Sequence, residues 1–254
     1  MRCTYCGNDY KKLSREHVIS RTVLETAFGK SNTNIARSEL WGNKPLKDHE
    51  HIVKDVCAEC NNKLSSIDLA GSDFVKKVLG FCDSTNKKLK ITKEALFWIV
   101  KTHLNFLRVI PDVETKSCYK LDSQIYKSLM CRDASVFKFL TLCVEGWEGK
   151  KYFWDRNDPR KIPIFSYKSV RFPFYNMVVS DLVIKSVDTI VFVPFETDYS
   201  NFGERVSKVI DIMIHDYGFN PQTVDPHEVL RSGELSIKNI RSHQSLLGIM
   251  KKIG

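Results

Sequence analysis

Two C-x2-C pairs, Cys3 with Cys6 and Cys57 with Cys60, constrain this chain more than any other feature of its sequence. Four thiolates bind zinc tetrahedrally, and a C-x2-C loop lets two sulfurs converge on one ion. Gly7 follows the second sulfur and permits a tight turn there. Four unmetallated core thiols are the alternative reading. Residues 7–56 separate the two pairs, so the intervening chain folds out from the sulfur cluster and displays something. The other cysteines, Cys82, Cys118, Cys131 and Cys143, stand singly in apolar or mixed stretches and read as small buried residues.

The displayed segment contains Glu16-His17 at the start of an apolar strand signal (EHVIS, 16–20), and Asn61 directly follows the fourth cysteine. A zinc ribbon needs neither. Taken singly, each has an ordinary explanation: an exposed acid beside a histidine, and an asparagine capping a helix. Their joint order, C-x2-C, Glu-His, C-x2-C-Asn, is more specific. It resembles the HNH endonucleases, in the branch whose ββα-metal finger is clamped by four cysteines. REHVIS is similar to that family's strand carrying an acidic residue and a histidine, and CAECNNKLSSID to its closing knuckle and helix start.

The resemblance covers roughly residues 1–70 and implies an α+β chain: a zinc-stabilised HNH finger at 1–72, then a mixed α/β domain at 73–254. It implies that His17 is the general base and that Glu16 and Asn61 hold a catalytic magnesium or manganese ion. Cys3, Cys6, Cys57 and Cys60 would hold structural zinc. The expected activity is one-metal hydrolysis of DNA phosphodiesters, in restriction, phage defence or a mobile element. A non-catalytic zinc ribbon binding nucleic acid or protein is the alternative, as is RNA cleavage by the same site. The family more often has Asp before the histidine, and Gly29–Glu50 reads as an insertion in the finger.

Adjacent strand residues point to opposite faces, so Glu16 and His17 can share one phosphate only if the strand is bulged or distorted. Asn62 is the alternative amide ligand, and Asp68 reads as an exposed helix acid or a group orienting a ligand. Arg15 and Arg21 are candidates for phosphate contact or plain surface charge, and His49 and His51 approach the second knuckle.

The formal charge of +9 favours an anionic partner, with double-stranded DNA the expectation; a solvated basic surface is the alternative. Residues 1–72 carry 11 Lys/Arg against 9 Asp/Glu, an excess of 2, which leaves 7 for residues 73–254. The second part is therefore expected to grip the substrate, to form a homodimer or to dock a regulatory protein. The opening MRCTYCG lacks an apolar signal region and no run is long enough to span a membrane, so a cytoplasmic location is expected.

Periodicity predicts short strands at 16–20 and 51–56 and a helix from Cys57 to Leu69, with Gly71-Ser72 as its stop signal. Thr92 caps a helix over Lys93–Ile110 that ends at Pro111, with His103 at the boundary of its buried face. A further helix passes through Leu121, Ile125 and Leu129, and Ala134–Val144 fits helix or strand. Short strands are expected over 150–194, and helical periodicity returns over Asn201–Tyr217 and from Ile237 onward. Lys150–Lys161 mixes basic and aromatic residues, which suits either stacking on bases or a hairpin with buried rings.

Overall fold

The computed structural model describes residues 1–29, 52–81, 89–109, 115–147, 165–185, 187–195, 199–217, 221–237 and 240–241. The chain is mixed α+β. Strand β1 (Ser14–His17) pairs antiparallel with β2 (Ile52–Val56), and the short helix α1 (Arg21–Phe28) follows β1. Helix α2 (Ala58–Phe81) leaves the second C-x2-C pair, and β3 (Lys90–Thr92) leads directly into α3 (Lys93–Val109). Helix α4 (Ser123–Cys131) and a 3-10 turn at Ala134–Lys138 precede β4 (Thr141–Trp147).

Then come β5 (Phe165–Phe172), β6 (Met177–Ile184), β7 (Val187–Pro194) and α5 (Phe202–Tyr217). The described chain closes with β8 (Gln222–Thr223), α6 (Pro226–Ser232), β9 (Glu234–Ser236) and β10 (Ile240–Arg241). The main sheet runs β10-β4-β7-β6-β5, with β8 also on β4; β4, β7, β6 and β5 pair antiparallel in turn, and β10 joins β4 in parallel. Cys143, Val179, Ile190 and Phe192 on one face of this sheet pack against Phe202, Val206 and Val209 of α5.

Helix α3 is the centre of the molecule. Every residue from Ala95 to Leu107 is buried, because α2 packs on one side of the helix and strands β6 and β7 on another. A helix surrounded this way must be apolar nearly all round, and its few polar residues need partners inside. Thr92 caps it as expected, its hydroxyl accepting the Ala95 amide at 3.3 Å. His103 is fully enclosed rather than at a boundary, held between the hydroxyls of Ser180 (2.7 Å) and Thr189 (3.0 Å). Burial drops its pKa to about 3, so the ring stays neutral.

Several expectations are corrected. Helix α2 continues through Gly71-Ser72 to Phe81, so the boundary expected at residue 72 falls within one helix. Gly71 is there for space: a Cβ would lie 2.4 Å from the Trp98 ring of α3, itself fully buried. Buried apolar residues from Cys3 to Ile237 form one cluster. Helix α1 was not foreseen. Ala134–Val144 divides into a 3-10 turn and the start of β4. Of the single cysteines, Cys143 is buried, whereas Cys118 and Cys131 are exposed. Cys82, His49, His51, Lys150–Lys161 and most of Gly29–Glu50 lie outside the described residues, as does nearly all of the segment from residue 238 on.

Candidate zinc knuckle and the charged cluster around Glu16

The first sulfur pair sits on a turn closed by hydrogen bonds from the Gly7 amide to the Cys3 carbonyl and from the Cys3 amide to the Asn8 carbonyl, both 2.9 Å. Gly7 has φ +74°, the left-handed conformation that favours glycine. Cys57 stands between the end of β2 and the start of α2, and Cys60 lies in the first turn of α2, so the helix start brings the second pair to the first. All four sulfur atoms lie within 4.8 Å of one another.

The surroundings suit thiolates. The Cys57 amide donates to Cys3 Sγ at 3.2 Å and the Cys60 amide to Cys57 Sγ at 3.4 Å. Burial opposes ionisation of Cys57, but hydrogen bonds led by the Tyr10 hydroxyl outweigh it and bring the thiol down to about 7. Burial holds Cys3 and Cys60 above the usual thiol range. Four soft donors at this spacing, with amide hydrogens directed at sulfur, fit a structural metal such as zinc and leave it no open position.

Beyond the knuckle, β1 carries the Glu-His pair. The β1–β2 register is irregular between Ser14 and Glu16, whereas Glu16 and His17 themselves pair regularly with Val53 and Ile52. The irregularity therefore precedes the pair. The two residues keep their strand alternation: Glu16 is 2% exposed and His17 is half-buried.

Glu16 faces α3, where it meets three polar residues at i, i+4 and i+7. Lys101 Nζ lies 3.3 Å from Glu16 Oε1, and the Arg108 guanidinium grips Oε2. Between them, the Asn105 amide donates to the Val18 carbonyl at 3.4 Å and stands 3.5 Å from Glu16 Oε1, while its oxygen accepts the Tyr5 hydroxyl at 3.0 Å. Lys101 also binds Asp68 of α2 at 2.8 and 3.0 Å, and Arg108 reaches Asp55 of β2 at 3.2 Å. The Arg108 guanidinium lies over the Tyr5 ring, 5.3 Å from its centroid. One stripe of α3 thus touches the first knuckle, both strands and α2. Lys101, Asn105 and Arg108, spaced along one line of a mostly apolar helix, were the sequence signal for this stripe, and sequence reasoning missed it.

These contacts lend no support to the expectation that Glu16 ligates an exchangeable cation. Both of its oxygens already face fixed positive charges in a site closed to water. Asp68 is not an exposed helix acid either; its side chain is 17% exposed. Burial raises its carboxyl above the ordinary range, and the charge and hydrogen bonds of Lys101 pull it part of the way back.

Asn61 is half-buried in the first turn of α2, its backbone amide bonded to the Cys57 carbonyl, and Asn62 is exposed. Asn61 and Asp68 share a face of α2, about 10 Å apart along the axis. The magnesium or manganese site expected at Glu16 and Asn61 therefore retains only the amide. Arg15 is exposed, and Arg21 is bound to Glu25 at 2.8 Å on the surface. Among the described residues no helix is long and apolar enough to cross a membrane. No family model, curated protein or solved structure matches the chain.

Proposed function

We propose that the chain is an endonuclease of the HNH type that hydrolyses DNA phosphodiesters, with His17 as general base. The observation that carries this reading is the arrangement around the knuckle. Four convergent sulfurs join an antiparallel β1–β2 pair to the start of α2, with His17 at the end of β1 and Asn61 in the first helical turn. Of the three residues expected to act, these two remain partly open to solvent, and Glu16 does not.

Hydrolysis of a phosphodiester needs a proton acceptor for the attacking water. A neutral imidazole can take that role. His17 takes that proton as the water oxygen bonds to phosphorus and the bond to the leaving sugar oxygen breaks, that oxygen taking its proton from solvent. The Asn61 amide orients the phosphate or the water. Zinc held by Cys3, Cys6, Cys57 and Cys60 would supply folding energy, and four sulfur ligands would leave it no position for chemistry. The net charge of +9 favours a polyanionic substrate. No step is assigned to magnesium or manganese at Glu16, because that carboxylate is held by Lys101 and Arg108.

The test is plasmid cleavage by the zinc-loaded full chain beside His17→Ala, each with magnesium, with manganese and with neither. Loss of a general base should slow cleavage about 10²- to 10⁴-fold. Equal rates in the two proteins, or no cleavage by the wild type under any of these conditions, overturns the proposal. Adding RNA as competitor separates the two backbones. The enclosure of Glu16 favours one second reading, a zinc-stabilised module that binds nucleic acid without cutting it. Under that reading His17→Ala leaves DNA affinity intact and cleavage is absent throughout.

A further inference from the structure

We infer that Phe174 is a stacking platform for an unpaired base, which makes the tip of the β5–β6 hairpin a contact for single-stranded stretches of nucleic acid. The inference deepens the nucleic-acid reading above and rests on it for the class of partner. Phe174 is 100% exposed, whereas the next most exposed large apolar side chain among the described residues, Met1, is 64% exposed. A ring left wholly in water gains when a flat apolar surface covers it. The backbone beneath this ring is tied down. Residues Pro173–Tyr175 form a 3-10 turn in which the Asn176 amide donates to the Pro173 carbonyl at 3.0 Å, and Asn176 takes the left-handed conformation at φ +48°. The Phe195 amide, just after β7, donates to the Asn176 carbonyl at 3.2 Å. Phe172 and Tyr175, which flank Phe174 in sequence, pack against the apolar cluster under α5. The ring is therefore held out on a fixed support, and binding orders little that is not already ordered.

The charges near the ring select the partner. Arg205 of α5 donates to the Tyr175 carbonyl at 3.3 Å, one residue along from Phe174, and its guanidinium lies 5.9 Å from the centroid of the Phe202 ring. Strand alternation turns Arg171 to the other face of the hairpin, where its guanidinium lies 5.0 Å from the centroids of both Tyr119 and Phe195. Both arginines are partly open to solvent. An exposed ring with an arginine toward each face of its hairpin suits a strand that lays a base on the ring and turns its phosphates to the guanidinium groups. Most of the net charge of +9 lies in residues 73–254, which favours a polyanion over a lipid tail or an apolar protein surface. A base paired inside a duplex keeps both faces stacked on its neighbours and offers neither to Phe174. The partner is therefore a strand with unpaired bases.

The experiment measures binding of the zinc-loaded full chain to a short fluorescein-labelled single-stranded oligonucleotide and to the duplex of the same sequence, by fluorescence anisotropy with no magnesium or manganese added. Wild type is compared with Phe174→Ala, Phe174→Leu and Phe174→Trp; the side chain is fully exposed, so all three should fold. Loss of the ring should weaken single-strand binding roughly 5- to 150-fold in the alanine and leucine variants. The tryptophan variant should keep it, and duplex binding should stay within about twofold in all of them. Equal single-strand affinity in wild type and Phe174→Ala overturns the inference and leaves the nuclease proposal standing. A leucine variant that binds as tightly as wild type also overturns it, because an apolar contact would then suffice without a ring. So does a Phe174→Ala variant that keeps the oligonucleotide but loses affinity for vesicles of phosphatidylcholine and phosphatidylserine. Failure of the wild type to bind either nucleic acid overturns the inference together with the nucleic-acid reading beneath it.

Discussion

Replacing Gly71 by alanine tests the close approach of α2 to Trp98 of α3. Two opposing terms act. Alanine is the better helix former by about 0.8–1 kcal/mol in a helix interior. Against this, the new methyl would lie 2.4 Å from three atoms of the Trp98 ring, closer than real side chains approach. That ring is fully buried, and Phe74 of α2 packs beside it at a centroid distance of 6.2 Å, so it has little room to turn away. Overpacking of a filled core costs about 1–3 kcal/mol and occasionally more. The contact here is severe, so the upper part of that range applies and outweighs the propensity gain, leaving a net loss of about 1–2 kcal/mol.

Gly80 in the same helix is the internal control, because nothing lies within 4 Å of its added Cβ. Gly80→Ala should be neutral or stabilise by up to about 1 kcal/mol. Urea unfolding with zinc present, followed by circular dichroism, reads both as shifts of the midpoint. A Gly71→Ala midpoint at or above the wild-type value would refute the reasoning, because α2 and α3 would not then approach so closely at that glycine.

Metal analysis of the purified protein should find about one zinc, lost in Cys57→Ser. Since the core runs without a break from Cys3 through α3, that loss should also reduce the helix signal of α2 and α3 rather than fray the first few residues. A second prediction concerns pH. The folded chain holds His103 at about 3, whereas the unfolded chain protonates it near 6.5. Below pH 6.5 the unfolded state therefore binds a proton that the folded state refuses, and stability falls as the pH drops toward 3. At pH 5 the loss is about 2 kcal/mol, from a slope of up to about 1.4 kcal/mol per pH unit. Comparing wild type with His103→Gln at pH 7.5 and pH 5 isolates this contribution; equal pH dependence in the two would count against a neutral, enclosed imidazole.

Much of the chain was legible before folding, where the signal was local. C-x2-C spacing requires only that nearby sulfurs converge, so the two knuckles could be read directly. Thr92 and the apolar run behind it announced α3, because caps and periodicity act within a few residues. Gly71 read as a helix stop, since nothing in its neighbours discloses a tryptophan arriving from another helix. The fate of Glu16 was equally invisible: a carboxylate beside a histidine is available to a metal or not, according to what lies across from it. Residues at 101, 105 and 108 settle that question, far along the chain and in a helix that had been read for its apolar face. Tertiary packing decided it because bringing α3 against β1 excludes water from Glu16, and a carboxylate taken out of water must be matched by nearby positive charge.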